Sequence, residues 1–121
     1  MNRVVHFEIP VDDTGKALKF YEEVFGWKAK RWGDLEFWLV TTGDGRGTGI
    51  NGAIMKKKDP QQPVACSIEV ENIDEMIKLI PEKGGQIVVP KMPIPGVGWL
   101  AYFKDTDGNI SGIMQNDTSA K

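Results

Sequence analysis

The only histidine in the chain, His6, stands in the run VVHFEIP with Glu8 two residues further on. In an extended strand, residues two apart share a face. The pair therefore offers an imidazole beside a carboxylate. Neutral imidazole titrates close to physiological pH and suits general-base work. The same ring hydrogen-bonded to a neighbour would be a structural residue, and bound to an ion it would be a ligand. A catalytic Zn, Ni, Mn or Fe generally takes about three protein ligands, and no second histidine is present to help. Cys66 is the single cysteine, which excludes an intrachain disulfide and a cysteine-cluster zinc site. It is expected to be a buried structural thiol on the helix side of its strand.

Other motifs fail when their surroundings are read. GTGING (47–52) has the letters of a dinucleotide loop, but AIMKKKDP follows it and does not open a helix. DTDGN (105–109) begins like a calcium loop. Its sixth position is Ile110 where glycine belongs and its twelfth is Asn116 where glutamate belongs, so it reads as a hairpin turn. The sequons at 109–111 and 116–118 have no evident secretory route to use them. Lys56, Lys57 and Lys58 read as a solvated linker rather than a nucleic-acid contact.

The elements that must position His6 and Glu8 follow from periodicity. VVHFEI (4–9) is a strand with Val5, Phe7 and Ile9 on one face and His6 and Glu8 on the other. Asp13 or Thr14 can cap a helix over about 14–25, whose apolar stripe is Ala17, Leu18, Tyr21, Val24 and Phe25 and whose stop is Gly26. WKAKRW, EFWLVTT and GINGAIM are three further strand-like runs. The polar stretch KKKDPQQP (56–63) is a linker. Then the pattern restarts. ACSIEV is a strand, Asn72 and Glu75 form a capping-box-like start to a second helix, and QIVVP, GWLAYF and NISGIMQ are strands. Pro81 predicts a kink or break near Ile80. PKMPIPGVGW (90–99) reads as a stiff loop that frames a cavity mouth or else forms a rigid edge connection, the former being favoured, with Lys91 and Tyr102 as polar candidates beside it.

The order β-α-β-β-β thus occurs twice. VDDTGKALKFY aligns with VENIDEMIKLI without a gap, and GINGAIM with NISGIMQ. His6 and Gly52 are 46 residues apart, and their partners Ala65 and Gly112 are 47 apart. One such unit covers one face of its sheet with a helix and leaves the other open. The reading is an α+β fold. Two β-α-β-β-β modules form a curved eight-stranded mixed sheet around a central cavity, with the helices outside. The 121 residues make one domain, with a first module of about 1–58, a linker of about 56–63 and a second module of about 64–116.

HFEIPVDD…A…FYEEVFGW, the segment GG…VVPKMPIPGVGWLAYFKDTDGN and the paired modules resemble the vicinal-oxygen-chelate superfamily, which includes glyoxalases, bleomycin-resistance proteins and extradiol dioxygenases. The resemblance covers nearly the whole chain. It implies a glyoxalase-like domain, often a homodimer. It also implies that any metal would be held from the first and last strand of each module, here His6, Gly52, Ala65 and Gly112. Only His6 of these can bind an ion. A rearranged set of His6, Glu8 and Glu69 is the alternative.

Composition narrows the partners. Fifteen basic residues against seventeen acidic give a net charge of -2, which argues against nucleic acid. No apolar run reaches the roughly 20 residues of a membrane helix, and the first residues do not read as a signal peptide. A cytoplasmic protein is expected. The first functional expectation is a small organic molecule bound in the cavity, with the usual metal site largely lost and no cofactor. His6 and Glu8 would be the catalytic pair, and Trp38, Gly52, Trp99, Gly112 and Met114, with Ile110, would line the ligand. A metal-dependent lyase, isomerase or dioxygenase and a non-catalytic regulatory or interaction module are the other two.

Overall fold

The computed structural model describes residues 1–121. Its elements are β1 (Arg3–Val11), α1 (Thr14–Phe25), β2 (Lys28–Arg31), β3 (Phe37–Thr41), β4 (Gly52–Lys56), β5 (Ala65–Glu69), α2 (Ile73–Glu82), β6 (Gln86–Ile94), β7 (Gly98–Lys104) and β8 (Ile110–Asn116). This is the twice-repeated β-α-β-β-β order. The strands hydrogen-bond in the order β2-β3-β4-β1-β5-β8-β7-β6, a mixed sheet of eight. Within each half the first strand is parallel to the last, β1 to β4 and β5 to β8, and β2–β3, β3–β4, β6–β7 and β7–β8 are antiparallel. No helix is long and apolar enough to cross a membrane.

The chain divides into two compact units, residues 6–64 and residues 1–5 with 65–121. In the first, α1 begins where Asp13 accepts a hydrogen bond from the Lys16 amide at 3.0 Å. It ends at Gly26, whose φ of 74° is a left-handed conformation that costs a glycine little. Its core is Val40, Ala53, Ile54 and Met55, all buried. In the second unit, α2 starts at Asn72, whose side chain accepts from the Glu75 amide at 3.1 Å. Ile73, Met76, Ile77 and Ile80 pack on Ile68, Val70, Ala101, Ile113, Trp99 and Phe103. The 2–5 segment joins this unit through the Asn2 amide, which donates to the Glu69 carbonyl at 2.7 Å.

Two expectations are corrected. Pro81 does not break α2 at Ile80: the helix runs on to Glu82, and the Lys83 amide still bonds the Leu79 carbonyl at 3.1 Å. The segment 90–99 is not a loop. β6 runs on to Ile94 with two register shifts, and Pro93 pairs with Trp99 in β7. β6 is the last strand in the order, and an edge strand tolerates proline because its outward donors have no partner to lose.

Candidate functional site

In the unit 6–64 the faces of the sheet are fixed by aromatic contacts. The Phe7 ring lies 5.5 Å from Trp27, which stacks on Tyr21 of α1 at 4.8 Å and 10°. Phe7, with Ile9, therefore faces α1. His6 and Glu8 take the opposite face, as alternation requires. His6 Nε2 stands 4.0 Å from Glu8 Oε2, with the two side chains 26% and 13% exposed. Burial holds the imidazole below its ordinary pKa, against a weaker upward pull from the Glu8 carboxylate. At neutral pH the ring is uncharged, with one nitrogen free to accept a proton, and the carboxylate is placed to favour the cation that would form.

The other expected ligand positions are distributed differently. Gly52 pairs with Phe7. A Cβ there would lie 2.5 Å from the Phe7 carbonyl oxygen and from its ring. Gly52 therefore belongs to the α1 face, and the β4 residue opposite Glu8 is Ala53. Trp38 also lies on the α1 face. With Leu18, Lys19, Glu22, Trp27 and Ala29 it lines an open hollow of about 360 Å³, and Arg31 sits over its ring at 5.0 Å. Sequence reasoning anticipated a Trp38 pocket but put it on the wrong side of the sheet. Nothing in the all-apolar centre of FWLV distinguishes its two faces.

In the unit containing residues 65–121, Gly112 pairs with Ser67 and with Tyr102. A Cβ on it would meet Ser67 Oγ at 2.8 Å and the Tyr102 ring at 3.3 Å. Ile113 and Ala101, its strand neighbours, pack on α2, so Gly112 faces away from that helix. Met114, two residues on, shares its face, and so does Ile110. Trp99 does not. It packs against the α2 core, its indole N–H donates to Asp117 at 3.0 Å, and Lys91 lies 4.6 Å from its ring while bonding Asp74 at 3.0 Å. Trp99 and Lys91 thus clamp β6 and β7 to α2 and do not line a ligand face. The Asp117 contact, invisible in the sequence, contributes to holding that carboxyl below its usual range behind the larger effect of Ser119. Cys66 is exposed rather than buried, because α2 covers Ile68 and Val70 but not the start of β5.

No group of three or more His, Cys, Asp or Glu side chains is arranged to hold a metal ion. Such a group is what the set His6, Glu8 and Glu69 required. Glu69 instead accepts a hydrogen bond from the Asn116 side chain. The last-strand positions Gly52 and Gly112 bring no donor, so the residues present do not fit a resident metal.

Comparison with known proteins agrees with the fold. Residues 3–43 match the family of bleomycin resistance protein-like N-terminal regions. A glyoxylase-like domain-containing protein of Didymella fabae is 29% identical, with 88% of each chain covered. A probable lactoylglutathione lyase of Vibrio parahaemolyticus is 27% identical, covering 94% of this chain and 91% of the other. Among solved structures, a glyoxalase/bleomycin resistance protein/dioxygenase superfamily member from Vibrio splendidus superposes with a TM-score of 0.67 at 20% identity, covering 95% and 98% of the two chains. Methylmalonyl-CoA epimerase from Mycobacterium tuberculosis gives 0.68 at 14% identity, covering 94% and 87%. These likenesses and the duplicated topology show that the chain has the fold of the vicinal-oxygen-chelate proteins. Its sequence relatives carry glyoxalase-type names.

Proposed function

We propose that this chain is a glyoxalase-like protein that binds a small organic molecule through His6 and Glu8 without a resident metal. The observation that carries the reading is the pair itself. An uncharged, half-buried imidazole stands 4.0 Å from a mostly buried carboxylate on the sheet face turned away from α1. Titratable groups shifted by burial beside a charged neighbour cluster at ligand and catalytic sites. The pair can accept a hydrogen bond or a proton from a bound molecule. The names of the relatives, a lactoylglutathione lyase and methylmalonyl-CoA epimerases, agree with a small organic ligand without choosing one.

The test is a metabolite screen by thermal shift on the purified chain. A ligand present at about 100 times its Kd stabilises the fold by about 2.7 kcal/mol. The expected result is a hit whose shift is lost in His6→Ala and reduced in Glu8→Gln. Stoichiometric metal that co-purifies with the wild type and is absent from His6→Ala would overturn the reading in favour of a metal-dependent enzyme.

A further inference from the structure

On the α1 side of the first unit the sheet is wider than the helix. α1 packs on β4, while β2 and β3 lie beyond it at the outer end of the strand order. Every residue of β2 is exposed. Ala29 pairs with Val40 and Arg31 with Trp38, so both β2 residues share the face that Trp38 takes. The open hollow of about 360 Å³ lies there. Trp27 and Trp38 bring their indoles to it, Leu18 and Glu22 come from α1, and the small side chain of Ala29 leaves the strand low between them. The Trp27 ring is fixed by its stack on Tyr21. A hollow lined by two indoles suits a flat apolar ring.

The charges around the hollow choose the ligand. Glu22 is matched by Lys28 at 3.4 Å and Glu23 by Lys19 at 3.8 Å. Arg31 has no carboxylate partner. Its Nε donates to the Leu35 carbonyl at 2.9 Å and one terminal nitrogen to the Asp34 carbonyl at 3.2 Å, which holds the guanidinium over the Trp38 ring at 5.0 Å. Those bonds use two of its five N–H donors. The surplus at this rim is therefore one positive charge on a planar, immobilised fork, a geometry that takes a carboxylate through two parallel hydrogen bonds. A cationic ligand is disfavoured, because the Trp38 ring already carries a cation. Ala29 and Arg31 stand about 6.6 Å apart along β2, a distance that a two-ring carboxylate covers from its distal ring to its oxygens.

We propose that the hollow between α1 and the β2–β3 pair is a second ligand site, for an aromatic carboxylate whose rings lie over Ala29 between Trp27 and Trp38 and whose anion is bound by Arg31. It is on the opposite sheet face from His6 and Glu8 and does not depend on a ligand there.

NMR titration of the full chain with naphthoate as the probe tests it. Saturable binding with a Kd below about 1 mM should shift the Trp27 and Trp38 indole N–H signals and the Arg31 Nε–H signal. Arg31→Gln should weaken it at least tenfold. Ala29→Leu should abolish it by filling the hollow while keeping the wild-type melting temperature, since the residue is exposed. Naphthylmethylamine, the same rings with a positive charge, should bind at least tenfold more weakly than the carboxylate. His6→Ala should leave the Kd for naphthoate unchanged. No saturable binding overturns the proposal. So does an amine that binds as tightly as the carboxylate, or naphthoate binding that survives both Arg31→Gln and Ala29→Leu. Binding lost in His6→Ala also overturns it, by assigning the probe to the other face of the sheet.

Discussion

His6 is a residue whose chemistry burial has altered. Its imidazole resists protonation because it is partly buried. The unfolded chain has no such resistance and takes up a proton as the pH drops through about 6.5. The unfolded state then binds more protons than the folded one, so stability falls on acidification through that window and levels off once the folded imidazole also protonates. The melting temperature of the wild type should fall between pH 7.5 and 5.5, and that of His6→Gln should fall less. Asp105, held low chiefly by the Asn109 amide, and Asp117 give their contributions above the carboxylate range and lose them only at more acid pH, outside this window. Gly52 provides a second residue-scale test. An added methyl collides with the Phe7 backbone oxygen, which cannot rotate away, so Gly52→Ala should cost about 1–3 kcal/mol in urea unfolding. Gly112→Ala should cost less, since its nearest obstacle is the movable Ser67 hydroxyl. The His6–Glu8 pair was legible from spacing alone, because alternation in VVHFEI is unambiguous. Trp38 and Trp99 were not. The side a strand residue takes depends on which neighbour it pairs with and where the helix crosses, and neither is local.

At the scale of elements, α1 was legible at both ends because each carries explicit chemistry, a capping side chain at Asp13 or Thr14, of which the structure uses Asp13, and a left-handed glycine at Gly26. The start of α2 was legible for the same reason at Asn72. These caps can be weighed. Asp13→Ala and Asn72→Ala should each lower unfolding free energy by about 1 kcal/mol. They share no partner, so the double variant should show the sum within about 0.5 kcal/mol. Calorimetry or urea titration of the three variants checks both statements. The β6–β7 hairpin was misread for a physical reason. Proline argues against a strand only where its missing N–H would have been used, and an edge position removes that penalty. The turn at 105–109 was read correctly because Asp105 accepts from the Asp107 and Asn109 amides at 2.8 and 2.9 Å and Gly108 takes a φ of 87°.

At the scale of the molecule, duplication explains how so much of the architecture follows from the letters. Two runs with the same element order and nearly the same spacing constrain one another. The donor set does not follow the duplication. With no three-donor group present, adding equimolar Zn, Ni or Mn to the purified chain should leave its melting temperature unchanged, and a chelator should have no effect. A metal-induced rise of several degrees would contradict the site as described.

The two halves differ by one residue in their spacing, and that difference is visible in three dimensions. Gly52 lies opposite Phe7, whereas Gly112 lies opposite Ser67, the counterpart of Glu8 in the gapless alignment. The glycines that look equivalent on paper therefore point to opposite sides of their strands. An engineer who wished to install an ion-coordinating centre beside His6 should replace Ala53 by glutamate, since the more obvious exchange at position 52 would drive the new carboxylate into the aromatic layer under α1.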